Sequence, residues 1–224
     1  MVVEDNQAWL KYPKHRWIYN KLELSLSLGY DAGPACVPIT KSGNYIVRPI
    51  YNLYGMGIGA KIITLSKDDI EDMANHAHIP PGYFWCEAFE GIHYSIDYQR
   101  TAAPLSSIFY WEPICSMIGE TDEKQLTRFK SWIKIENINI DLPHFLNQLD
   151  GVDLLNVELI GNKIIEVHLR SGNDVMYDRP IGTKLIPVWA DDSGTINISN
   201  EDPYTKYDAF GYLDHVRLGY RIED

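Results

Sequence analysis

Two acids, a histidine and an arginine fall at alternate positions of one short stretch, VDLLNVELIGNKIIEVHLR, residues 152–170. Strand side chains alternate between faces, so parity decides which of them can act together. On the first arm Leu155, Val157 and Leu159 share a face, opposite Asn156, Glu158 and Ile160. On the second arm Ile165, Val167 and Leu169 share a face, opposite Ile164, Glu166, His168 and Arg170. An odd-length turn around Asn162, with Gly161 beside it, joins the apolar faces and sets Glu158 directly across from Glu166. Facing carboxylates repel unless something positive lies between them. A divalent cation such as Mg²⁺, which takes one or two carboxylates plus substrate phosphates, answers that need. The plain alternative is an exposed sheet face with two solvated acids and no metal; His168 and Arg170 on the same face weigh against it.

A second candidate is YIVRPIYNLYGMGIGAKIITL, residues 45–65, where Arg48 precedes Gly55, Gly57 and Gly59. Glycines at alternate positions let backbone N–H groups turn toward an anion at close range, and an arginine fork can clamp phosphate oxygens. The competing reading is a flexible hairpin tip with a surface arginine. The spacing matches neither the Walker A loop nor the dinucleotide fingerprint.

The elements that must position these residues follow from periodicity and punctuation. Residues 16–29 read as a short helix stopped by Gly29, and 31–44 as loop. Residues 45–50 and 60–65 read as a hairpin around the glycines. Ser66 opens a helix with Asp69 at its capping-box position, closed by Pro80 and Pro81. YFWCEAF and HYSIDYQ read as strands joined around Glu90 and Gly91. DEKQLTRFKSWI, with Leu126, Phe129, Trp132 and Ile133 on one helical face, predicts a helix, and DLPHFLNQL a shorter one. KLIPVWA and VRLGYRI are further strands. Short strands alternating with helices predict an α+β protein with largely antiparallel sheet. The aromatic runs FWCEAF and FYWEPI read first as core packing, and Cys86 as a small buried residue.

Composition removes several classes of function. A net charge of −11 over 224 residues, with no basic cluster, excludes broad nucleic-acid binding. No run approaches the roughly 18 apolar residues of a membrane span. The N-terminal residues lack the order of a signal peptide, and three widely spaced cysteines suit a reducing compartment, so a cytoplasmic protein is expected.

Taken in order, these pieces resemble the ATP-grasp superfamily. Its lysine at the head of a short helix is matched by NKLELSLSLG and Lys21, and its V-x-K-P strand with a glycine-rich hairpin by IVRPIYNLYGMGIGA. The E-x-apolar-x-G connection between lobes is matched by CEAFEGIHYSIDY, and the acidic strand followed by an E-x-N-x-R strand by NVELIGNKIIEVHLR. The resemblance implies one ATP-grasp domain over 1–224, with two lobes gripping a nucleotide. Residues 40–90 would be the glycine-hairpin lobe, and 91–224 the metal-binding and acceptor lobe.

Carried over, Lys21, Arg48 and Arg170 are the catalytic candidates. Lys21 and Arg48 would contact ATP phosphates, with Gly55, Gly57 and Gly59 covering them. Glu87 would meet adenine or ribose, with His93 where relatives carry a ribose-binding acid. Glu158, Glu166 and His168 would hold Mg²⁺. Arg170 would bind the reacting carboxylate or acyl phosphate. Arginine stands where lysine is usual at 48, and histidine stands for asparagine at 168, which tilts the site toward Mn²⁺. The separate α/β domain that usually precedes the fold has no counterpart in these residues. The implied activity is an ATP-dependent ligase that joins a small-molecule or peptide carboxylate to an amine, or less often a thiol, through an acyl phosphate. The alternatives are a non-catalytic nucleotide-binding or assembly protein and a phosphotransferase on the same fold.

Overall fold

In a computed structural model the described residues are 4–53, 59–71, 79–102, 109–122, 125–172, 176–189, 205–206 and 217–223. They form two antiparallel sheets, as an α+β protein requires. The smaller sheet has the order β1-β4-β2-β3, from β1 (Ala32–Pro34), β2 (Gly43–Pro49), β3 (Lys61–Leu65) and β4 (Tyr83–Glu87). The larger has eight strands, β11-β12-β10-β7-β6-β5-β8-β9. These are β5 (His93–Ala102), β6 (Phe109–Asp122), β7 (Gln125–Ile135), β8 (Leu154–Ile160), β9 (Lys163–His168), β10 (Lys184–Trp189), β11 (Thr205–Lys206) and β12 (Arg217–Glu223). The chain changes sheet between Glu87 and His93.

Two faces of the large sheet divide the work. One buries Ile96, Tyr98, Leu155, Val157, Leu159, Ile164 and Val167 in a core with Ala8, Ile18, Tyr19 and Leu24 from the N-terminal helices. The register puts His93, Ser95 and Asp97 of β5 on the opposite face, beside Glu158 and Asn156 of β8 and Glu166 and His168 of β9. That face continues through Cys115 and Met117 to Trp132 and Leu185, which pack with Met176. So the apolar half of each alternating strand anchors the N-terminal helices while its polar half is left for chemistry.

The structure corrects several expected elements. Residues 16–29 are not one helix. A 3-10 helix (Pro13–Tyr19) stops at Asn20, whose side chain accepts a hydrogen bond from Glu23 N (3.0 Å) and so caps a separate helix α2 (Lys21–Ser27). α1 (Asp5–Lys11) precedes them. Ala32–Pro34, read as loop, is a short strand paired with β4. DLPHFLNQL gives only a 3-10 turn (His144–Gln148). Of DEKQLTRFKSWI, the part from Gln125 onward belongs to strand β7 and not to a helix, and residues 123–124 lie outside the described residues. There the pairs Ser131↔Glu120 and Phe129↔Thr121 leave Lys130 bulged, which moves Phe129 and Trp132 onto one face with ring centroids 4.3 Å apart. A strand with a bulge thus reproduces the i, i+3 spacing of a helix.

The 152–170 hairpin is present, but by a different route. Its turn has two residues, Gly161 and Asn162, between Ile160↔Lys163. Beyond Leu159↔Ile164 the register shifts, and Glu158 meets Glu166 with Ile165 as the extra residue. Ile164, not Ile165, therefore joins the apolar core. The capping box expected at α3 (Lys67–Glu71) is formed: Ser66 N donates to Asp69 Oδ2 (2.8 Å), and Asp69 N to Ser66 Oγ (3.2 Å). Cys86 is buried, and none of the three cysteines is in a disulfide. No helix among the described residues is long and apolar enough to cross a membrane.

The connection between the sheets leans on the β8–β9 turn. Gly161 N donates to Ile92 O (2.8 Å), and Gly91, at φ +130°, would drive a Cβ to 2.9 Å from Gly161 Cα. Gly91→Ala should therefore cost about 1–3 kcal/mol. Each kcal/mol lowers the melting temperature of a chain this size by about 2–4 °C. A thermal melt equal to wild type would show that the backbone approach is not rigid.

Candidate functional site

Three pieces of chain converge on the carboxylate of Glu166. The Asn20 cap starts α2 so that Lys21, 7% exposed, lies in its first turn, and Lys21 N donates to Ile50 O (2.9 Å) at the end of β2. Lys21 Nζ then reaches Glu166 Oε1 at 2.5 Å. From the small sheet, Arg48 lies opposite Phe84 and stacks its guanidinium 5.4 Å from that ring. Its Nη1 donates to Glu166 Oε1 (3.1 Å) and its Nη2 to the carbonyl of Ile165 (3.0 Å). The bulge thus does two things: it turns Glu166 toward Glu158, and it frees a strand carbonyl for Arg48. Arg48 Nε is buried with no hydrogen-bond partner among the described residues.

His168 stands between the acids. Its Nε2 is 3.5 Å from Glu166 Oε2 and 3.8 Å from Glu158 Oε1, and its Nδ1 is 3.0 Å from Asp5 Oδ2. Arg170 closes on the same Asp5, with Nε to Oδ1 (2.9 Å) and Nη2 to Oδ2 (2.8 Å), while its Nη1 donates to Ser171 O (2.9 Å). Glu158 Oε2 is 3.2 Å from His93 Nε2. The His93 ring lies edge-on to Phe129 (4.9 Å) and Trp132 (5.5 Å). Charges alternate along this line, from Lys21 and Arg48 through Glu166 and His168 to Asp5 and Arg170.

The protonation states follow. Burial pushes Glu166 up, but Lys21, Arg48 and His168 together hold its carboxyl well below the usual range. Burial likewise opposes charge on Asp5, and Arg170 and His168 reverse it. For His168 burial disfavours the imidazolium, yet Asp5, and with it Glu158, raises the pKa above 6.5 despite the nearby Arg170. Farther along the same face Asp97, 2% exposed, accepts from Gly172 N (2.7 Å), Asn156 Nδ2 (2.8 Å) and the Tyr177 hydroxyl (2.5 Å), fastening the segment after β9 to the sheet.

Of the residues singled out from sequence, Lys21, Arg48, His93, Glu158, Glu166, His168 and Arg170 form one connected cluster. Glu87 does not join it; its Oε1 accepts from Asp31 N (3.1 Å). Gly59, at φ +82°, sits where a Cβ would come within 2.6 Å of the Tyr83 hydroxyl, while Gly55 and Gly57 lie outside the described residues. Arg170 has its fork turned to Asp5. Among the described residues no group of three His, Cys, Asp or Glu side chains stands arranged to hold a metal ion. With Asp5 on its Nδ1, His168 turns Nε2 toward the two acids. The two facing carboxylates are oxygen donors of the kind Mg²⁺ takes, with Glu158 still a quarter exposed. Asp5 carries no motif; an acid inside a short amphipathic helix looks like surface, and only its 2% exposure marks it.

Known structures share this architecture. A carboxyaminoimidazole ribonucleotide synthase from Aspergillus clavatus, complexed with ATP, superposes at TM-score 0.54 with 13% identity, over 92% of this chain and 68% of that one. An N5-carboxyaminoimidazole synthetase from Staphylococcus aureus, complexed with ADP, does so at 0.54 with 13% identity, over 92% and 67%. An L-amino acid ligase from Bacillus licheniformis does so at 0.50 with 9% identity, over 92% and 67%. The chain thus spans about two thirds of the length of these proteins. No family model and no curated protein sequence matches it. The chain has the ATP-grasp fold.

The depressed carboxyls give a signed pH prediction. Asp5 and Glu166 have folded pKa values below their ordinary 3.8 and 4.5. Their contribution to stability is therefore present above those values and lost as pH falls through the folded ones. Thermal melts should drop steeply from about pH 5 downward, and Glu166→Gln should flatten that limb. An acid limb of equal slope in the variant would show that Glu166 is not held by its cations.

Proposed function

We propose that the chain binds ATP with Mg²⁺ and uses it to activate a carboxylate for attack by an amine, or less often a thiol. The observation that carries this reading is the meeting of Lys21 and Arg48, from two different elements, with the facing pair Glu158 and Glu166. A polyphosphate needs fixed cations, and its accompanying metal needs oxygen ligands on the other side; this cluster offers both. The Nε of Arg48, without a partner among the described residues, supports the reading further, since a buried donor without an acceptor invites an anion. The structural neighbours in complex with ATP and with ADP lend the same support.

In this reading a substrate carboxylate oxygen attacks the γ-phosphorus, the bond to the bridging oxygen breaks, and ADP leaves. The amine nitrogen then attacks the acyl carbon, phosphate departs with the C–O bond electrons, and the nitrogen gives up a proton to the departing phosphate or to water. Lys21 and Arg48 hold the phosphate oxygens in line and balance the charge that spreads over them. Glu158 and Glu166 would hold Mg²⁺, which neutralises charge on the phosphates when bound. Binding at a buried cluster also keeps water from the acyl phosphate.

A second reading, nucleotide binding without turnover, is favoured by one feature: the Arg170 fork faces Asp5 instead of a substrate. ADP release measured with Mg²⁺ and panels of carboxylates and amines separates the two. Turnover should appear, and Glu166→Gln should lower it at least about 100-fold, with Glu158→Gln also impaired. Thermal stabilisation by ATP with no ADP release would favour the binding protein. Full activity in Glu166→Gln would remove the metal assignment.

A further inference from the structure

Asp5 is a buried acid of this cluster that the reading above does not use. It lies in the first turn of α1, 2% exposed, and its two oxygens meet Arg170 Nε (2.9 Å), Arg170 Nη2 (2.8 Å) and His168 Nδ1 (3.0 Å). The Tyr19 hydroxyl bonds to it as well and accepts from Leu169 N (3.2 Å). The helix that carries Asp5 is held firmly. Glu4 and Gln7 close a capping box at its start, Ala8 is wholly buried, and Arg16 donates to Trp9 O (2.8 Å) while stacking 4.9 Å from the Trp9 ring.

We propose that Asp5 is a positioning residue of this site: it fixes the His168 ring so that Nε2 faces Glu158 and Glu166, and it engages the Arg170 fork as the counter-charge to itself. A histidine has two nitrogens, and the partner of one decides what the other presents. With Asp5 on Nδ1, only Nε2 faces the acids, at 3.5 Å and 3.8 Å. Among the described contacts of His168, Asp5 is the partner of Nδ1, and it makes the shortest of them. Arg170 balances a buried carboxylate that would otherwise be strongly disfavoured. Arg170 therefore acts through Asp5 and is not the group that grips the reacting carboxylate. A purely structural ion pair could be exchanged for an apolar pair at little cost, whereas a positioning pair could not.

The kinetic half of this inference rests on the ligase reading, so the test has two arms. In the first, Asp5→Asn is compared with wild type by ADP release below its melting temperature. The turnover number should fall about 10- to 100-fold, as for loss of an outer partner of a functional histidine. The affinity for ATP should stay within about twofold. In a His168→Gln background the same substitution should add no more than about twofold. An unchanged turnover number in folded Asp5→Asn, or an equal loss with and without His168, overturns the proposal. The second arm needs no activity: the ¹⁵N resonances of the His168 ring should shift on Asp5→Asn, and unchanged ring signals overturn it. If wild type releases no ADP, the ligase reading falls and this second arm alone decides the role of Asp5. Should Asp5→Asn not fold, Asp5→Glu, which keeps the charge but displaces the oxygens, is read in the same two ways.

Discussion

A buried carboxylate has to be surrounded by positive charge, and in this chain that requirement organises everything around Glu166. Its side chain is 15% exposed, and Lys21 and Arg48 share one of its oxygens. Taking an isolated carboxylate out of water is costly enough that the group would rather accept a proton. The depressed pKa shows that the cations prevent this. Because Lys21 belongs to the N-terminal helices and Arg48 to the small sheet, the same interaction that keeps Glu166 charged also fixes the small sheet, α2 and the edge strand β9 against one another. Fold and site are coupled through a single carboxylate.

Two bulges decide what the large sheet presents. At Ile165 the extra residue changes parity within β9, so Ile164 enters the core while Glu166 and His168 face Glu158 and Asn156. At Lys130 another extra residue brings Phe129 and Trp132 together against His93. A one-residue change of register flips every side chain beyond it. Without the first bulge Glu158 and Glu166 would lie on opposite faces.

These bulges also explain what could be read from sequence. The facing glutamates were legible because parity and the apolar alternation constrain each other, even though a two-residue turn plus a bulge stands where an odd turn was expected. The order of the motifs from Lys21 to Arg170 was legible because it follows the order of elements in the fold, and the fold found in known structures agrees with it. Strand β7 was not legible, since Phe129 and Trp132 have helical spacing and only pairing with β6 and β10 outweighs it. Asp5 was invisible for a different reason. Its partners His168 and Arg170 lie more than 160 residues away, and no local pattern marks an acid that a distant strand will bury. The motif places Arg170 in the cluster, while its contact with Asp5 depends on that long-range pairing.

The alternation of charge also bears on how such a site could accept a polyphosphate without first losing its own structure. Lys21 and Arg48 need an anion at all times, and Glu166 needs a cation at all times, since all three are largely buried. In the proposed reading both needs are met before and after binding. Lys21 and Arg48 exchange a carboxylate for phosphate oxygens, and Glu166 exchanges them for the divalent cation that travels with the nucleotide. No buried charge is left alone at either end of that exchange, so its net cost is the difference between two paired states and not the desolvation of any one ion. His168, Asp5 and Arg170 need not change partners at all. A site built this way separates a part that trades ligands from a part that holds still, and the boundary between them runs through the imidazole of His168.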